Sequence, residues 1–141
     1  MTRLLVVGAG PPTREAGVDL FLELMAAMAT RGPASFAWLG GRPKGVARRL
    51  DAETGLLGMD GDIAWRPLGS APSEPGTVHV VTARSASAAR DSLAQLAPGV
   101  PLLGLGSDPE VVEVLRAGGA RTIRYPDVTA LAEELVQTAQ V

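Results

Sequence analysis

Hydrophobic residues along this chain fall into short unbroken runs, separated by stretches where they recur every third or fourth position. Leu4 to Val7 is such a run, bounded by Gly8 and Gly10, and predicts a strand buried on both faces. From Val18 to Ala29 the spacing becomes helical, with Leu20, Leu24, Ala27 and Met28 on one stripe and Phe21 and Met25 beside it. Arg31-Gly32-Pro33 ends that helix. Ser35 to Leu39 predicts a second strand, closed by Gly40-Gly41, and Lys44 to Leu57 a helix with Arg48, Arg49, Asp51 and Glu53 on its charged face. Asp62 to Leu68 reads as a third strand, and Gly69 to Thr77, with Pro72, Pro75 and Gly76, as a loop. Val78 to Val81 is a fourth strand, Ser87 to Leu96 a helix stopped by Pro98-Gly99, and Leu102 to Leu105 a fifth strand. Pro109 to Ala117 predicts a helix with proline in its first turn and Asp108 as N-cap. A short strand over Thr122 to Arg124 and a helix over Asp127 to Gln137 complete the pattern.

Strands alternating with helices imply crossover connections and a parallel sheet. The expected fold is one α/β domain over residues 1–141, Rossmann-like and doubly wound. Its three α/β/α layers hold a mostly parallel six-stranded sheet. A chain of 141 residues suits a single domain. The only aromatic side chains are Phe21, Phe36, Trp38, Trp65 and Tyr125, so the core is built mostly from Leu, Val, Ala and Met.

A net charge of -2 argues against a nucleic-acid partner, since that binding draws on clustered Lys and Arg. With no cysteine and one histidine, a disulfide framework, thiolate chemistry and a Cys/His zinc site are excluded. The apolar run at Leu4 to Val7 is too short for a secretory leader, and no run approaches the ~20 residues of a membrane span. The expectation is a cytoplasmic protein with no membrane span.

Ligands of an open parallel sheet sit outside the carboxyl ends of its strands. That directs attention to Gly8 to Gly17, Gly40 to Lys44, Thr82 to Ser87 and Gly104 to Asp108. Gly8-Ala9-Gly10-Pro11-Pro12 is a glycine-rich turn before a helix, an arrangement that offers backbone N–H groups to an anion. It lacks the third glycine of a dinucleotide fingerprint and the Gly-Lys-Ser/Thr of a P-loop, and it also suits a plain strand-to-helix turn. Arg84, with Ser85 and Ser87, stands at a strand end beside a helix start. It reads either as a phosphate clamp or as a solvated arginine, and Ser87 equally as an N-cap. Arg14 is a further cation at the first loop. His79, inside a buried strand pattern, reads as a core or strand-edge histidine. Candidate ligand-binding residues are therefore Gly8, Gly10, Arg14, Arg84, Ser85 and Ser87, with Gly104 to Gly106 beside them; no catalytic residue and no metal ligand is assigned.

The order of segments carries a resemblance. Val6-Val7-Gly8-Ala9-Gly10 followed by Gly17-Val18-Asp19-Leu20-Phe21-Leu22-Glu23 resembles the "VGR…KGxDLLIEA" opening of the C-terminal domain in family-4-type GT-B glycosyltransferases. Phe36 to Gly40 and Ala64 to Gly69 look like that domain's next two strands. Val80 to Ser85 followed by Ala97 to Leu102 resembles its "vlPSr…GxPvva" region, and Asp127 to Glu133 its closing helix. The resemblance runs almost end to end. It implies a domain that binds a nucleoside-diphosphate sugar donor, with Gly8 and Gly10 beside the diphosphate and Arg84 near the donor. It also implies no cofactor and no essential metal, and transfer at a cleft completed by an acceptor-binding N-terminal domain or a separate subunit. The family's phosphate lysine falls on Ala16, and its Glu-x7-Glu pair on Ala86 and Ala94. Donor binding is therefore expected to be weak or absent, and the lone chain inactive. Two other readings stand beside a glycosyltransferase half. One is a non-catalytic binding or assembly module derived from that fold. The other is an unrelated Rossmann-like domain binding another nucleotide or nothing.

Overall fold

A computed structural model describes residues 4–41, 63–67, 69, 71–73 and 75–139. The predicted helix from Lys44 to Leu57 lies outside the described residues. The strands are β1 (Leu4–Ala9), β2 (Ala34–Leu39), β3 (Ile63–Arg66), β4 (Thr77–Val81), β5 (Leu102–Gly106) and β6 (Arg121–Arg124). The described helices are α1 (Val18–Met28), α2 (Ala86–Ala94), α3 (Pro109–Ala117) and α4 (Val128–Ala139). All five strand pairings are parallel, in the order β3-β2-β1-β4-β5-β6. The expected doubly wound α/β sheet is therefore the observed one, and it is parallel throughout. No helix is present among the described residues between β3 and β4.

The unbroken apolar runs follow from burial on both faces. Val6 and Val7 are adjacent, so they point to opposite sides of the sheet, and both are fully buried. Val6, Val78, Val80, Leu103 and Leu105 pack with α1 and α4 through Leu20, Phe21, Leu24, Leu131 and Leu135. On the other face Val81 and Ala83 meet Ala88 and Ala89 of α2 and Val111 and Leu115 of α3. A third cluster, Val7, Ala9, Ala37 and Leu39, lies on that second face over β1 and β2.

Local signals set the helix ends. Asp108 accepts from the Val111 N–H at 2.9 Å, as its position before Pro109 predicts. Ser85, rather than Ser87, caps α2: its hydroxyl accepts from the Ala88 N–H at 3.1 Å. Ser87 is exposed in the first turn of that helix.

Candidate functional site

β1 has β2 on one side and β4 on the other, and the strand order reverses between β1 and β4. Their carboxyl ends therefore open the crevice where parallel sheets of this kind take ligands. Loop 10–17, leading into α1, forms one wall, and 82–85, leading into α2, forms the other.

The first wall is held from within. The Gly10 N–H donates to the Leu39 carbonyl at 2.9 Å, Thr13 N–H to the Pro11 carbonyl at 2.7 Å, and Gly17 N–H to the Thr13 and Arg14 carbonyls at 3.1 and 3.0 Å. The Thr13 hydroxyl accepts from the Ala16 N–H at 3.3 Å. Gly17 has φ 83°, a left-handed conformation that side chains disfavour, and a Cβ there would collide with the Thr82 carbonyl. That close approach seats the Thr82 hydroxyl on the Gly17 carbonyl at 2.8 Å.

The walls are then tied to each other. Arg84 donates to both oxygens of Asp19, at 2.6 and 2.7 Å, a bidentate pair. The same guanidinium donates to the Arg14 carbonyl at 2.6 Å and to the Tyr125 hydroxyl at 3.2 Å. Its carbon lies 5.9 Å from the Tyr125 ring centroid, at the outer limit of a cation–π contact. The Arg84 and Asp19 side chains are only 18% and 7% exposed, so the pair is largely shielded from water. The hydrogen bond to Asp19, outweighing desolvation, raises the Arg84 pKa above its ordinary value and keeps it charged. The Arg84 N–H donates to the Glu15 carbonyl at 2.8 Å, and the Ser85 hydroxyl to the Glu15 carboxylate at 2.8 Å.

Each predicted residue now has a place. Arg84, Ser85, Ser87 and Arg14 come together at the crevice, where the Arg14 side chain is exposed with no ion pair among the described residues. Gly8 and Gly10 are buried beneath it. A Cβ on Gly8 would lie 2.8 Å from the Trp38 ring and 3.0 Å from Phe21, so glycine is required there by aromatic packing. Phe21 and Trp38 meet edge-on with centroids 5.2 Å apart, and the Trp38 indole donates to the Gly10 carbonyl at 3.0 Å. Gly104 and Gly106 are set by α3 in the same way: a Cβ would come within 2.8 Å of Leu115 and 2.5 Å of Val112. Ala16 is buried below the loop, while Ala86 and Ala94 sit at opposite ends of α2.

Sequence reasoning passed over Asp19, Glu15, Thr82 and Tyr125. Asp19 did carry a signal, because it is the one charge inside the apolar run Val18 to Leu22. His79 is buried in β4, as its strand pattern predicted. Among the described residues no His, Cys, Asp and Glu group is placed to hold a metal ion, and no helix is long and apolar enough to cross a membrane. Two concavities, of about 830 and 450 Å³, lie against α2 and touch neither crevice wall.

No protein-family model matches the chain, and no curated protein matches it. Its fold is similar to that of several solved glycosyltransferases. WaaG, a glycosyltransferase involved in lipopolysaccharide biosynthesis, aligns with 97% of this chain and 38% of its own, at 15% identity and TM-score 0.61. TarM of S. aureus, solved as a point mutant in complex with fondaparinux, alpha-GlcNAc-glycerol and UDP, aligns with 99% of this chain and 29% of its own, at 8% identity and TM-score 0.71. A UDP-forming trehalose-phosphate synthase from Burkholderia xenovorans aligns with 98% and 36%, at 14% identity and TM-score 0.59. The chain thus spans about a third of the length of these GT-B glycosyltransferases, and at such identities the likeness is one of fold.

Proposed function

We propose that this chain is the nucleotide-sugar-binding half of a glycosyltransferase, delivering a glycosyl group from a nucleoside-diphosphate sugar to an acceptor held by another domain or subunit. One observation carries the reading: nearly the whole chain lies on about a third of a GT-B glycosyltransferase, with its strand-order reversal, and so its crevice, between β1 and β4. One half of such a cleft does not position two substrates, so transfer requires the completing half.

The diphosphate is assigned to the rim of the crevice. Ala86 and Ser87 open α2, where N–H groups have no partner within the helix. The positive end of the helix dipole and the exposed Arg14 add to that attraction. Arg84 serves as a positioning residue that holds the two walls in register through Asp19. Alanine at 16, 86 and 94 removes the lysine and both carboxylates that the resemblance expects. Each lost hydrogen bond to a charged group weakens binding by about 10- to 150-fold, so donor affinity is expected in the millimolar range.

A second reading, a non-catalytic binding or assembly module, is favoured by one feature: Arg84 already uses four of its side-chain hydrogen bonds inside the protein. Titrating the isotopically labelled chain with UDP, GDP and their sugars separates the two. Saturable amide shifts at Arg14 and Ser85 to Ser87 support donor binding. Unmoved amides at several millimolar ligand leave the assembly module.

A further inference from the structure

On the face of the sheet that α2 and α3 cover, the two helices lie side by side and leave a groove of about 830 Å³. Its floor is apolar: Leu93 and Val114 are half-buried there, and Ala94, Ala117 and Gly118 are exposed. Charge is divided between its lips. Arg90 stands on the α2 lip, and Glu110 and Glu113 stand on the α3 lip. All three are exposed, and none makes an ion pair among the described residues.

The two lips are level. A Cβ on Gly118 would meet the Leu93 side chain at 2.9 Å, which sets the carboxyl end of α2 beside that of α3. One turn back from this contact come Arg90 on α2 and Val114, with Glu113 next to it, on α3. Both helices return between parallel strands, so they run in the same direction. A two-fold axis along the groove therefore lays α2 of one copy over α3 of another without reversing it. Arg90 of each copy then faces Glu113 of the other, and the contact is made twice, as an isologous interface requires. An axis across the groove would instead set Arg90 against Arg90 and glutamate against glutamate.

We infer that this groove docks a second copy of the chain, in a two-fold dimer closed by reciprocal Arg90–Glu113 pairs. The small residues Ala94, Ala117 and Gly118 let the two backbones approach, and Leu93 and Val114 lose their contact with water. Glu110, on the same lip as Glu113, strengthens the negative field that Arg90 enters. Two helices of nine residues offer a face about 14 Å long and about 20 Å wide. Such a face lies at the small end of specific interfaces, so the dimer is weak and reversible. The groove shares no residue with either crevice wall, so the pairing is independent of the donor reading.

Sedimentation equilibrium of the full chain, from micromolar to millimolar concentration, tests the pairing. A monomer–dimer equilibrium that loosens as salt is raised is expected. Arg90→Glu and Glu113→Arg each turn two attractive contacts into two repulsive ones, which should raise the dimer Kd about 10- to 30-fold. Both positions are exposed, so circular dichroism should show each variant folded. Mixing the two variants restores both pairs across the axis, and the mixture should form a heterodimer about as tight as the original dimer. So should the double variant with itself. A chain that stays monomeric at millimolar concentration, a dimer indifferent to either single variant, or a mixture no tighter than its components would overturn the pairing.

Discussion

At the carboxyl edge of the sheet, Thr82, Arg84 and Ser85 bind the opposite wall through the Gly17, Arg14 and Glu15 carbonyls and the Asp19 and Glu15 carboxylates. At the amino edge, the chain entering β5 meets β4 through a backbone bond, the His79 N–H donating to the Pro101 carbonyl at 2.8 Å, and the cleft beside them is lined mainly by aliphatic side chains. The difference is in how each edge is held, by side-chain ties between loops at the carboxyl edge and by backbone bonds and aliphatic packing at the amino edge. The carboxyl crevice is closed by its own polar contacts, so its floor is filled by the protein's own groups. The amino cleft is lined by no charged side chain, and the one polar side chain in its lining, His79, has its ring on the Pro72 carbonyl.

The carboxyl edge is therefore where substitutions should cost most. The largest effect is expected from Gly17→Ala, because the new methyl strikes the Thr82 carbonyl and the backbone is left-handed there. A loss of more than about 4 kcal/mol, measured by urea unfolding, is the expected outcome. Arg84→Met strands the Asp19 carboxylate in a shielded site and should cost about 3 kcal/mol. Arg84→Lys should cost less, since it keeps the charge and loses the two-pronged geometry. Thr82→Val keeps the shape and removes the bond to the Gly17 carbonyl, for a loss of about 1 kcal/mol. If these variants cost no more than exposed substitutions elsewhere, the two edges do not differ in the way described.

The smallest effect belongs to the amino edge and depends on pH. His79 has its folded pKa lowered by burial, so the unfolded chain binds the proton more readily than the native one. Its contribution to stability is complete above the ordinary histidine value of about 6.5 and is lost as pH falls from there toward the lowered folded value. His79 is the only histidine in the chain, so His79→Phe should flatten the stability-versus-pH curve just below neutrality. An unchanged slope in chemical unfolding at stepped pH would place the titrating group elsewhere.

Much of this architecture was readable in the chain. Leu4 to Val7 and Val78 to Val81 announce doubly buried strands, because a parallel sheet covered on both faces demands apolar residues at consecutive positions. Asp108 and Pro109 mark a helix start through chemistry confined to four residues. The contacts that organise the crevice were not readable, since they join residues far apart. Arg84 finds Asp19 at a separation of 65 residues, and Ser85 finds Glu15 at 70. A lone arginine at a strand end looks the same in sequence whether its fork grips a ligand or a buried carboxylate. Gly8 and Gly10 illustrate the same limit. A glycine-rich turn resembles a phosphate cradle, yet the space beside Gly8 is taken by Trp38, which lies on the neighbouring strand.

Amide hydrogen exchange of the intact chain, with and without saturating UDP, tests the donor-side reading most directly. The account predicts slower exchange at Ala86 and Ser87, at the rim of the crevice, with Val100 and Leu102 at the amino edge unchanged. Unaltered exchange at the rim, or protection confined to the amino edge, would contradict it.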